Sequence, residues 1–117
     1  MGTAKQRLQR FRKGVGVLMK EMPATMQSMF GFIETAQKES VLTVREKELI
    51  GLGISLYHRC EDCITMHVER ALQAGCTRQE ILEAAGMAMV FGGGPTLASA
   101  ATVLVEALDE LEKDFQK

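Results

Sequence analysis

No tryptophan occurs in this chain, and only two prolines interrupt its 117 residues. Strand signals are missing as well: there are no alternating β-branched runs and no Asn-Gly turns, so nothing favours a sheet. No uninterrupted apolar run approaches the roughly 18 residues of a membrane-spanning helix. The N-terminus is basic, but no apolar segment with a small-residue cleavage site follows it, so no signal peptide is read and a cytoplasmic location is expected. Charge of one sign is not in excess either. A formal net charge of −1 gives no global attraction to nucleic acid or to an anionic membrane surface. Cysteine is scarce and odd in number, at three, which excludes a fully paired disulfide framework within one chain. Two of the three form a tight C-x-x-C, Cys60 to Cys63. In a cytosolic setting that spacing points to redox chemistry or metal binding.

What is present is ordinary for a globular chain: 46% hydrophobic and 25% charged residues. The length suits a single domain over residues 1–117, with no internal linker, repeat or low-complexity segment. The pattern is one helix after another. A basic amphipathic stretch covers about 3–21. Pro23 suits the first position of a second helix running to about Lys38, in which Met26, Met29, Phe30 and Ile33 recur at helical spacing. Thr43-Val-Arg-Glu46 has the spacing of a capping box and opens a third helix to near Tyr57. Leu49, Ile50, Leu52, Ile54, Leu56 and Tyr57 cover most of that helix, which predicts that it is largely buried.

His58-Arg59 reads as a corner, and a fourth helix runs from near Cys60 to before Gly75, a residue suited to a left-handed stop. Thr77-Arg-Gln-Glu80 is a second capping box. Gly92-Gly-Gly94 breaks the fifth helix, and Pro95 opens a last one to about Asp114. The fold class is therefore all-α, a bundle of about six helices with antiparallel pairs and short loops. The first twenty residues carry six Lys or Arg and no acid, whereas Glu106, Asp109, Glu110, Glu112 and Asp114 crowd the last dozen. These are two solvated faces, or the ends pair within or between subunits.

The chemistry concentrates in Cys60-Glu-Asp-Cys63-Ile-Thr-Met-His67. Steps of three and four residues place Cys60, Cys63 and His67 in one stripe of a helix. Both thiols fall in its first turn, where unpaired N–H groups and the helix dipole favour anions and lower thiol pKa values. His67 can take or deliver a proton beside Cys63. The stripe thus holds a nucleophile, a resolving thiol and an acid/base. Two plainer readings compete: ordinary buried helix residues, or a zinc site with His58 as fourth ligand. Structural zinc ligands usually come as two spaced pairs from separate segments, which this chain lacks. Glu48 lies on the preceding helix near Gly51, Leu52 and Ser55, small enough neighbours for another helix to approach. It is either a carboxylate orienting His67 or an exposed first-turn Glu favoured by the dipole. Cys76 reads as a small buried hydrophobe, and the eight Met as core filler. Tyr57 and His58 adjoin the thiols and either line a pocket or pack the corner. Gly92-Gly-Gly94 lacks the Lys-Ser/Thr and the preceding strand of a phosphate loop.

Glu48, Cys60-x-x-Cys63 and x-x-x-His67 stand in an order and spacing that resembles the carboxymuconolactone decarboxylase superfamily, in its alkylhydroperoxidase D-like branch. The resemblance extends from about Val41 to Leu111 and includes Glu69-Arg-Ala-Leu-Gln-Ala-Gly75 and Glu80-Ile-Leu-Glu-Ala-Ala85. It implies an alkylhydroperoxidase D-like helical fold in obligate oligomers, trimers or hexamers. It also implies a thiol-dependent peroxidase or disulfide reductase acting on a hydroperoxide or small disulfide and recharged by a dithiol or lipoyl-bearing protein, with no cofactor and no metal. By the same resemblance Glu48 is a site residue. Cys63 would attack the peroxide, Cys60 would close the disulfide, and His67 with Glu48 would relay protons. Helix position alone ranks the thiols the other way, since Cys60 is nearer the N-terminus. One position departs from the pattern. Peroxidase members often carry His immediately before the second Cys, whereas Asp62 stands here, and an anion beside Cys63 should raise its thiol pKa. The alternatives are a redox-sensing or zinc-binding oligomer without turnover, or a lyase using Glu48 and His67 only. The decarboxylase members generally lack the Cys pair, so its retention argues against that last reaction.

Overall fold

The helix boundaries follow from local chemistry. In the computed structural model, which describes residues 3–115, helix α1 spans Thr3–Glu21, α2 Pro23–Gln37, α3 Val44–His58, α4 Glu61–Gln73 and α5 Arg78–Ser99. A π-helical turn, Ala100–Leu104, joins α5 to α6, Val105–Leu111, and a 3₁₀ turn, Glu112–Phe115, ends the description. Pro23 occupies the start of α2, where its missing N–H costs nothing. Both capping boxes form: Thr43 with Glu46 at α3, and Thr77 with Glu80 at α5. Gly75 ends the α4 turn at φ +91°. The Gly92–Gly94 break is narrower than its three residues suggest. Only Gly93 leaves helical geometry, at φ 60° and ψ −141°, and helix continues on both sides.

α3 and α4 form a hairpin that packs on α5, while α1 lies across α4 and α6. Leu52 and Leu56 of α3, Ile64 and Val68 of α4, Ile81 of α5 and Leu108 of α6 are wholly buried where these elements meet. The two charged ends do pair, within one chain. The Glu110 carboxylate accepts the Ala4 and Lys5 N–H groups at 3.0 and 3.2 Å and so caps α1, whose first turn has no acid of its own. Lys5 reaches Asp114 at 3.4 Å, and Arg7 reaches Glu106 at 3.1 Å.

Two expectations change. α3 is not largely buried: Leu52 and Leu56 face the core, but Ile50, Ile54 and Tyr57 stand about half exposed. Apolar residues around a whole helix show that each face tends to be covered, not that its own chain does the covering. Likewise α2 buries no residue, and Met29 and Phe32 are exposed. The expected absence of a membrane-length apolar stretch also changes. The helical rod Arg78–Phe115 is long and apolar enough to cross a membrane by length and composition. It is nonetheless broken at Gly93 and packs one side on α3, α4 and α1.

Candidate functional site

The site begins at the corner between α3 and α4. Arg59 closes α3 in a left-handed conformation, φ 58°, and its N–H returns to Leu56 O while Cys60 N–H returns to Ser55 O at 3.2 Å. This turn reverses the chain and sets Cys60 as the N-cap of α4. The Cys60 sulfur there does what a Ser or Asp oxygen does at other caps: it accepts the Cys63 N–H, at 3.2 Å. Cys63 is the third residue of the helix. The two cysteines are joined as a disulfide with Cα atoms 5.2 Å apart, within the normal range for such a bond. Both are half-buried, while Glu61 and Asp62 between them are exposed.

His67 lies one turn further along. Its ring rests on α3 at Gly51, where a Cβ would meet the ring Cε1 at 2.9 Å. Next to that contact, Nδ1 lies 2.9 Å from Glu48 Oε1. Glu48 is only 5% exposed. An ionised carboxylate can only accept, so Nδ1 is the donor to an ionised Glu48, and Nε2 is the ring nitrogen left for other partners. Of the two readings of Glu48, the geometry therefore gives the buried orienting carboxylate. Gly51 on α3 lets the α4 imidazole approach by having no side chain, and one turn along Ser55 folds its hydroxyl back onto Gly51 O at 2.7 Å.

Around this core, Arg7 pins α1 to α4. Its guanidinium donates to Thr65 Oγ1 at 2.9 Å and to Glu106 at 3.1 Å, and lies 4.0 Å from Glu61. Sequence reasoning did not single out Arg7, because its partners are some 60 to 100 positions away. His58 forms no metal-ligand cluster with the thiols among the described residues. It is exposed and stands edge-on to Tyr57, their ring centroids 6.1 Å apart. Among the described residues no three His, Cys, Asp or Glu side chains converge as metal ligands. Cys76 is buried, its sulfur 3.9 Å from Arg45 O. Burial pushes its thiol pKa up, against a smaller opposing pull from Arg45.

Two cavities flank the helices. One of about 600 Å³ runs between α3 and α5 and is lined by Ile50, Ile54, Tyr57, Met87 and Phe91. So Tyr57 does line a pocket, but an apolar one on the outer face. The other, about 430 Å³, lies between α1, α2 and α4 and has His67 in its wall.

Comparison with known proteins fits this geometry. A model of the carboxymuconolactone decarboxylase family matches residues 23–106, a stretch that contains Glu48, both thiols and His67. The chain belongs to the carboxymuconolactone decarboxylase family. An uncharacterised protein of Cupriavidus necator is 31% identical over 107 residues, covering 90% of this chain and 95% of its own length. A family member from Legionella pneumophila has a crystal structure that is similar with a TM-score of 0.85, at 32% identity and 97% coverage of both chains. A second, from Thermotoga maritima, with a suggested role in an antioxidative response, gives a TM-score of 0.75 at 32% identity, over 94% of this chain and 96% of that one. The all-helical carboxymuconolactone decarboxylase fold, with a C-x-x-C pair at the head of α4, is thus the frame in which the site is set.

Proposed function

We propose that the chain is a thiol-dependent peroxidase, working through Cys60 and Cys63 with His67 and Glu48 as a proton relay. The observation that carries this reading is the placement of the C-x-x-C pair at the N-cap and third position of α4, one turn from an imidazole whose Nδ1 is held by a buried carboxylate. In the reduced protein, His67 Nε2 takes the Cys63 thiol proton. The thiolate attacks the terminal oxygen of a hydroperoxide ROOH, the O–O bond breaks, and ROH leaves with the proton, giving a sulfenic acid on Cys63. The Cys60 thiol then attacks that sulfur, water leaves, and the disulfide forms. A dithiol, free or on a lipoyl-bearing protein, returns two electrons and becomes a disulfide itself. A small disulfide could replace the peroxide as oxidant by ordinary exchange. The antioxidative role suggested for the Thermotoga relative supports this direction.

The reading includes self-association. The groove between α3 and α5 and the unburied α2 leave apolar side chains, Phe32, Val90 and Phe91 among them, uncovered on one chain; clustered exposed apolar residues of this kind mark interaction sites. A second copy of this chain is the proposed cover, in a trimer or hexamer.

The test is a thiol count by mass spectrometry of the reduced protein, before and after one equivalent of hydrogen peroxide. Loss of two alkylatable thiols, with a mapped Cys60–Cys63 peptide, is the expected result. Cys63→Ser should abolish peroxide consumption, since it removes the nucleophile at nearly constant size. Full activity in that variant would sink the mechanism.

A further inference from the structure

The stripe on α4 does not stop at His67. Cys63, His67 and Arg70 stand at i, i+4 and i+7, which is one face of a helix. The cavity of about 430 Å³ lies against this face, walled by Phe11 and Val15 of α1, Phe30 and Ile33 of α2, and Met66. Its volume is in the usual range for a small-molecule site, about 300–1,000 Å³. The α1 and α2 walls are largely apolar, and Arg12, Glu69 and Arg70 stand in the lining beside His67 and Gln37. Arg12 and Glu69 pair with each other. Arg70 donates to the neutral Gln37 Oε1 at 3.3 Å and, among the described residues, has no carboxylate at ion-pair distance. One guanidinium in a cavity with apolar α1 and α2 walls is therefore left, among the described residues, without a carboxylate partner. Its planar fork matches a carboxylate.

We propose that this cavity binds an apolar monocarboxylate, with the carboxylate on Arg70 and the apolar body running past His67 toward Cys63. The seven residues from Arg70 back to Cys63 span about 10 Å of helix. Resting on the peroxidase reading, the substrate class is then a hydroperoxide with an apolar body and a carboxylate about 10 Å from its peroxide group. Cys63 lies one turn beyond the cavity wall, where the far end of such a molecule arrives.

The test uses no peroxide. Octanoate and 1-octanol are titrated separately into the full-length oxidised protein, and the imidazole resonances of His67 and His58 are followed by NMR. Octanoate should shift the His67 resonance, leave His58 in place, and bind about tenfold more tightly than octanol, as expected for one charge-assisted pair. Arg70→Gln should bring the two affinities together, and Arg70→Lys should keep most of the preference. Equal affinities in the unaltered protein would overturn the proposal. So would a His67 resonance that neither ligand moves, as when a second copy already fills the cavity. Failure here leaves the thiol-count result untouched, and failure of the thiol count leaves octanoate binding to be decided on its own.

Discussion

Gly51 carries as much of the site as the residues with functional groups. A methyl there would lie 2.9 Å from His67 Cε1 and 3.1 Å from Nδ1, so the ring must shift against Glu48. Gly51→Ala is expected to cut peroxide turnover by tenfold or more, about what a sub-ångström to 1 Å misplacement of a catalytic group costs. Steady-state kinetics with a dithiol donor would check it, and wild-type rates would show that the ring has another resting position. His67→Gln should raise the pKa of the reactive thiol, because the proposed proton acceptor is gone. The pH profile of alkylation reads this directly. Cys76 gives a contrast within the same chain. Its thiol is buried and its pKa raised by that burial. In the reduced protein it should be the last of the three to be alkylated at neutral pH. A Cys76 that reacts as fast as Cys63 would count against that reading.

At the scale of elements, the two capping boxes make a pH prediction. The Glu46 carboxyl is held below its usual range first by the Thr43 backbone N–H, and Glu80 first by the Thr77 backbone N–H, with Arg45 adding to the effect at 2.6 Å. A carboxyl whose pKa is depressed on folding binds fewer protons folded than unfolded. Its contribution is present above the unfolded pKa of about 4.3 and is lost as the pH falls through the lower folded value. Glu46→Gln with Glu80→Gln should therefore flatten the acid side of the stability curve, measured as urea midpoints from pH 7 down to pH 3. The kink in α5 is a second element-level device. Among the described residues Thr96 Oγ1 is buried without a hydrogen-bond partner, and a Cβ on Gly92 would lie 1.8 Å from it. Gly92→Ala must force these atoms apart and should cost about 1–3 kcal/mol, the usual range for overpacking. Thr96→Val, which removes the unpaired hydroxyl at constant shape, should be neutral or stabilising. A loss of stability in the valine variant would mean that the hydroxyl has a partner after all.

For the whole molecule, the proposed self-association falls on the outward face of α3 and α5. Val90 and Phe91 are 71% and 75% exposed, and the groove between the helices is almost wholly apolar. Phe91→Asp should shift the solution mass to that of a single chain, since a buried phenylalanine is worth about 1.5–3 kcal/mol per copy. Sedimentation of the two proteins at equal concentration tests this. A mass unchanged by the substitution would place the contact elsewhere, with α2 as the next face to alter.

The sequence by itself determined what depends on near neighbours along the chain. Pro23, Thr43 with Glu46, Gly75, and Thr77 with Glu80 set helix ends because caps and stops act within about four residues. The alignment of Cys60, Cys63 and His67 was legible for the same reason, since helical spacing alone makes them one stripe. Glu48 was not decided at that level. It could equally have been an exposed first-turn acid, and only the packing of α3 on α4 at Gly51 gave it the imidazole. The pairing of the charged ends, the Arg7 anchor, the cavity beside Arg70 and the bare faces of α2, α3 and α5 belong to tertiary structure alone. Each depends on which helix meets which, and apolar periodicity says that a face seeks cover without saying what covers it.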